Sequence, residues 1–118
     1  MKQLTVLYDE TCPLCCRAKE WLSEQHAYVP LAFVPAGTTR AQIAFPGLNH
    51  EATRNQLTVI GDDGGVYYDE RGWLMCLWAL RRYRSLALRL ASPALLPAAR
   101  RFVVYVSQHR QALGSFVS

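Results

Sequence analysis

At 118 residues the chain is the length of one domain, and with 51% hydrophobic and 19% charged residues it suits a packed core and excludes a disordered or fibrous protein. No uncharged stretch reaches the roughly 18 apolar residues of a membrane helix, and Met-Lys-Gln-Leu-Thr-Val-Leu-Tyr-Asp meets acid too early for a signal peptide, so a cytoplasmic protein is expected. The net charge of +4 is unevenly spread: residues 1–70 hold five basic and nine acidic residues, residues 71–118 eight arginines and no acid.

Leu4 to Tyr8 is β-prone and stops at Asp9-Glu10-Thr11, which predicts a first strand. Pro13 suits the first position of a helix, where its missing N–H costs nothing. Leu14, Ala18, Trp21, Leu22 and Gln25 then form one stripe at helical spacing, ending near His26. Tyr28 to Val34 reads as a second strand, and a right-handed crossover would set it parallel to the first. Thr39 is the expected cap of a short helix ended by Pro46-Gly47, with another turn or two over Asn49 to Arg54.

Leu57 to Ile60 and Val66 to Tyr68 flank Gly61-Asp62-Asp63-Gly64-Gly65, the pattern of a β-hairpin. Gly72 to Arg84 predicts a helix with Trp73, Cys76, Leu77 and Leu80 on one face. Ser92-Pro93 looks like a helix start, Pro97 like a second one, and the last helix is expected from about Ala98 to Leu113, stopping at Gly114. The order βαβ, β-hairpin, α predicts an α/β domain of thioredoxin-like type, a small mixed sheet with helices on both faces. The whole chain, 1–118, is expected to be that one domain, with residues 1–91 as its core and 92–118 as a C-terminal helical extension.

Four cysteines in a chain read as cytoplasmic point toward redox or metal chemistry rather than structural disulfides. Cys12-Pro13-Leu14-Cys15 is a C-x-x-C motif between a strand and a helix, the context that a redox pair needs. A thiolate is the nucleophile in disulfide exchange, and unpaired N–H groups at a helix N-terminus stabilise one. Cys12 is therefore the expected attacking thiol. Cys15, three residues on and bordering the apolar stripe, is the partly buried partner that resolves the mixed disulfide. Cys16 falls nearly opposite the stripe, as a solvent-side bystander, and Cys76 as a small core residue. Asp9, just before the helix, is expected to bond backbone N–H groups, and Pro13 to stiffen the first turn.

The segment Leu7 to Cys15, with its Asp-x-x-Cys-x-x-Cys core preceded by Tyr8, resembles the opening of the DCC family of thiol–disulfide oxidoreductases. The resemblance continues in Gly61-Asp62-Asp63-Gly64, in Tyr67-Tyr68, and in a late helix with Tyr105 and Arg110. It implies a thioredoxin-like fold, a Cys12/Cys15 redox pair, and Asp9 as the family's acidic position. Two departures stand out. Where thioredoxins and glutaredoxins place a cis-proline facing the pair, this chain has Gln56-Leu57, and Glu10 stands where many members have Gly.

The expected activity is thus thiol–disulfide exchange with protein or small-thiol substrates, without a separate cofactor, recharged by glutathione or a thioredoxin system. Two other readings stay open. The Cys pair could hold a metal, although one pair plus Cys16, Cys76, His26, His50 and His109 lacks the two close pairs usual for zinc. The arginines of the C-terminal part, Arg81, Arg82, Arg84 and Arg89 above all, could make it a binding module for an anionic partner such as a membrane surface. Nucleic acid is not an expected partner, since no recognition motif accompanies the charge. His109 is read as a core histidine beside Phe102, Val106 and Leu113, and Trp73 and Trp78 as core and edge packing.

Overall fold

The computed structural model describes residues 2–54 and 56–109. Its elements are strand β1 (Leu4–Tyr8), helix α1 (Pro13–Glu24), strand β2 (Leu31–Pro35), helix α2 (Thr39–Ala44), a 3₁₀ turn (Ala52–Arg54), strands β3 (Thr58–Gly61) and β4 (Val66–Tyr68), and helices α3 (Asp69–Ala79), α4 (Arg84–Leu90) and α5 (Leu96–Gln108). The sheet order is β2-β1-β3-β4. Strand β2 runs parallel to β1, with Leu4 opposite Leu31 and Tyr8 opposite Pro35. Strand β3 is antiparallel to β1, and β4 to β3. This is the thioredoxin-like α/β arrangement that the element order predicts.

Both faces of the sheet are covered, because alternate residues of one strand point to opposite sides. Leu4 and Val6 pack with Leu22 of α1, Val59 of β3, and Cys76 and Ala79 of α3. Leu7 and Ile60 pack on the other side with Val34, Ala36 and Ala41 of α2. Strand β3 is covered on both sides, with all four of its residues buried, Thr58 among them.

Several boundaries differ from the sequence reading. The strand expected from Tyr28 begins only at Leu31, because the N–H groups of Tyr28 and Val29 donate to the Ala79 carbonyl at 2.8 and 3.3 Å. The helix expected over Gly72 to Arg84 ends at Ala79. Leu80 turns extended (ψ 139°) and is fully buried. It forms a β-bridge with Ala27, and Arg81 N–H bonds the His26 carbonyl at 3.0 Å. The joint clamps the end of α3 to the loop between α1 and β2, and Arg84 opens a separate helix. The α2 cap is Thr38 rather than Thr39, its hydroxyl accepting from the Ala41 N–H at 3.3 Å. Ser92-Pro93 lies in a turn, and α5 starts near the second proline, Pro97. The expected end of that helix at Leu113 and Gly114 lies outside the described residues.

The start of α3 also differs, and it bears on the site. The strand β4 runs into α3 without a loop, and Asp69, the first helical residue, carries a φ of +51°. Few residue types adopt that left-handed conformation, Asp and Asn among them. The turn aims the Asp69 N–H at the Leu57 carbonyl, 3.0 Å away. One turn later, a Cβ on Gly72 would sit 3.2 Å from the Tyr67 carbonyl oxygen and 3.3 Å from side-chain carbons of Leu57 and Val59. The helix thus lies close against the hairpin and holds Leu57 at the mouth of β3.

Candidate active site

The site is built where β1 ends. Asp9 Oδ1 accepts the Thr11 N–H at 3.0 Å and the Thr11 hydroxyl at 2.6 Å, and the Asp9 carbonyl accepts the Cys12 N–H at 3.2 Å. These bonds fold Asp9-Glu10-Thr11 into a turn that delivers Cys12 to the head of α1. Cys12 is the N-cap, with extended backbone (φ −97°, ψ 116°), and Pro13 opens the helix. The Cys15 N–H donates to Cys12 Sγ at 3.4 Å. A sulfur at this position takes the bond that an Asp or Ser oxygen would make at an ordinary cap, and there the helix end favours negative charge.

Accessibility divides the pair. Cys12 is fully buried, whereas Cys15 is half-buried. Cys15 also lines a cavity of about 870 Å³, together with Tyr8, Leu14, Leu57, Trp73 and Phe102 of α5. The sequence reading gives the attack to Cys12. Of the two thiols, the accessible one is Cys15.

Cys16 is partly exposed, and its thiol donates to the Glu10 carbonyl at 3.4 Å. Burial pushes the Cys16 thiol above its ordinary value. The charges of Cys12, Glu20 and Asp9 push the same way, against an opposing pull from Lys19. Glu10 itself points to solvent. Cys76 is fully buried in the core, as expected, and burial pushes its thiol from 9.0 up to about 12. A thiol held protonated is a poor nucleophile, so iodoacetamide at neutral pH is expected to spare Cys76 in the folded protein and label it in denaturant. Labelling at equal rates in both states would contradict this burial. The raised value also fixes the sign of a pH effect. Stability from this thiol is full below 9.0 and falls as pH rises toward 12, because the unfolded chain gives up the proton first.

Gln56 and Leu57, the segment at the cis-proline position, line the same cavity as Cys15. There are no cis peptide bonds among the described residues. The sequence reading missed the part played by α5, treated there as an appendage. Ala98, Ala99, Phe102, Val103 and Val106 all line the cavity, and their spacing at i, i+1, i+4, i+5 and i+8 was the available signal of an apolar face. Trp73 lines the cavity too, rather than being core alone. His109 is exposed at the end of α5, stacked on Tyr105 with ring centroids 4.2 Å apart, and is no core histidine.

The arginines named as an anion-binding set are partly committed within the chain. Arg84 lies 4.2 Å from the Trp78 ring and 4.5 Å from the Tyr28 ring, and its Nε donates to the Trp78 carbonyl at 2.8 Å. Arg81 also stacks on Tyr28, and Arg82 on Tyr83. Among the described residues, no three His, Cys, Asp or Glu side chains are grouped to hold a metal ion, and no helix is long and apolar enough to cross a membrane.

A strand delivering a C-x-x-C pair to a helix N-terminus, on a sheet of order β2-β1-β3-β4, defines the thioredoxin-like class. Residues 6–116 match the family of DCC1-like thiol-disulfide oxidoreductases, and the chain belongs to that family. No curated protein and no solved structure matches it.

Proposed function

We propose that the chain is a thiol–disulfide oxidoreductase that cycles Cys12 and Cys15 between dithiol and disulfide in exchange with protein or small-thiol substrates. The observation that carries this reading is the bond from the Cys15 N–H to the buried Cys12 Sγ, which sets the two cysteines side by side at the head of α1. Pro13 stiffens the turn between them and Asp9 holds the turn before them. No separate cofactor takes part. Glutathione or a thioredoxin system of the cytoplasm, where thiol pools are kept reduced, is the proposed source of electrons. The domain is taken as the whole of 1–118, with α5 serving the site as a wall of its cavity. A role as an anion-binding module is less well supported, since Arg81, Arg82 and Arg84 lie on aromatic rings of the chain itself.

The test is turnover. With hydroxyethyl disulfide as substrate and dithiothreitol as reductant, the protein is expected to accelerate reduction above the uncatalysed rate, and Cys16→Ser is expected to keep that acceleration. A wild-type rate equal to the uncatalysed one would overturn the proposal.

A further inference from the structure

Beside the pair lies an opening that disulfide exchange does not itself call for. Its volume of about 870 Å³ lies within the range of small-molecule sites, roughly 300–1,000 Å³. Cys15 stands in the wall, and Leu14, Leu57, Trp73, Leu77 and Phe102 make much of that wall apolar. The charged side chains there are engaged within the chain. Asp9 Oδ1 takes two donors from Thr11, Lys19 lies over the Tyr8 ring at 5.2 Å, and Glu70 Oε1 faces Arg100 Nε at 3.9 Å. What the cavity offers an occupant is therefore apolar surface.

The α5 side of the wall is also short of cover. None of the described α5 residues is buried, and Phe102, although part of the wall, is 68% exposed. A phenyl ring left open on such a cavity gains free energy when an apolar body covers it.

We infer that this cavity binds the apolar body of the substrate, and that the preferred substrates are small disulfides R–S–S–R′ in which R is a hydrocarbon group of several carbons. This rests on the dithiol exchange proposed above. With R among Trp73, Leu77 and Phe102, its sulfur meets the pair at the cavity wall. A thiolate of the pair bonds one substrate sulfur, the substrate S–S bond breaks, and the other sulfur leaves as a thiolate. The second cysteine thiolate then attacks the first cysteine's sulfur, forming the Cys12–Cys15 disulfide and expelling the remaining substrate thiolate. The pair loses two electrons, the substrate gains them, and the two cysteine protons end on the released thiols. A dithiol, or two equivalents of a monothiol, reduces the pair again.

A chain-length series tests this. Mixed disulfides of glutathione with ethanethiol, butanethiol and hexanethiol share one polar half and differ only in R. With dithiothreitol as reductant, kcat/KM divided by each compound's uncatalysed rate is expected to rise about tenfold or more from ethyl to hexyl. S-hexylglutathione, a thioether that cannot exchange, should inhibit at about tenfold lower concentration than S-methylglutathione. Phe102 is mostly exposed, so Phe102→Ala should keep the fold. It is expected to cut the hexyl-to-ethyl ratio about threefold or more. Leu88→Ala, on α4 and outside the cavity wall, should leave the ratio unchanged.

Equal normalised rates across the three chain lengths, equal inhibition by the two thioethers, or a ratio that Phe102→Ala leaves intact would overturn the cavity as the binding site while leaving the exchange reaction standing. If wild type accelerates neither this series nor hydroxyethyl disulfide, the inference and the proposed function fall together.

Discussion

Leu80→Ala is expected to cost about 2–5 kcal/mol of unfolding free energy, the usual range for emptying a buried leucine site. Leu80 is fully buried, and it does more than fill space. It ends α3, pairs with Ala27, and lies among Leu4, Val6, Leu22 and Val59 in the core under the site. A small domain has only about 5–15 kcal/mol to lose, so the variant should stand close to the edge of folding at room temperature. Leu88→Ala is the control. Leu88 is 61% exposed, and a surface change of this kind stays within about 0.5 kcal/mol. Urea unfolding of the three proteins measures both. A Leu80→Ala cost below about 1 kcal/mol would show that the joint between α3 and the α1–β2 loop contributes little.

Cys12→Ser is expected to bring turnover down to the uncatalysed rate while changing stability by no more than about 1 kcal/mol. The serine oxygen can accept the Cys15 N–H in place of Cys12 Sγ, so the helix keeps its cap. What goes is one sulfur of the pair, without which the Cys12–Cys15 disulfide cannot form. The paired readout is disulfide reduction beside a urea midpoint. Retained turnover would place the chemistry elsewhere in the chain. Lost turnover with a collapsed midpoint would show Cys12 acting as packing.

Much of this site was legible before any coordinates. The β-prone run from Leu4 to Tyr8, Pro13 at the helix start, and the cysteine spacing are local signals, and the structure follows them because backbone geometry and caps answer to neighbours in sequence. The hairpin was legible for the same reason, since Gly61 to Gly65 admits few other conformations. The break at Leu80 was not legible. Gly72 to Arg84 holds no proline and keeps an apolar period, so nothing local says that Ala79 will give its carbonyl to Tyr28 and Val29. That preference arises only when the α1–β2 loop is in place.

The left-handed turn at Asp69 is a similar case. Asp tolerates it, but the demand for it comes from Leu57 across the hairpin. The burial of Cys12 was not legible for a geometric reason. Helix phase ranks residues inside the helix, and Cys12 stands before it, so the phase argument had nothing to say about what covers that sulfur. The cavity required α5 to fold back against α3, a tertiary fact foreshadowed only by the apolar spacing from Ala98 to Val106.

The central claim is that Cys12 and Cys15 form a working redox pair. Its most direct test is a titration of wild type and Cys16→Ser across glutathione buffers, read by mass after alkylation, with the disulfide located by peptide mapping. The predicted result is one reversible two-electron transition in both proteins, joining Cys12 to Cys15. No intramolecular disulfide at any poise, or one that disappears with Cys16, would contradict it.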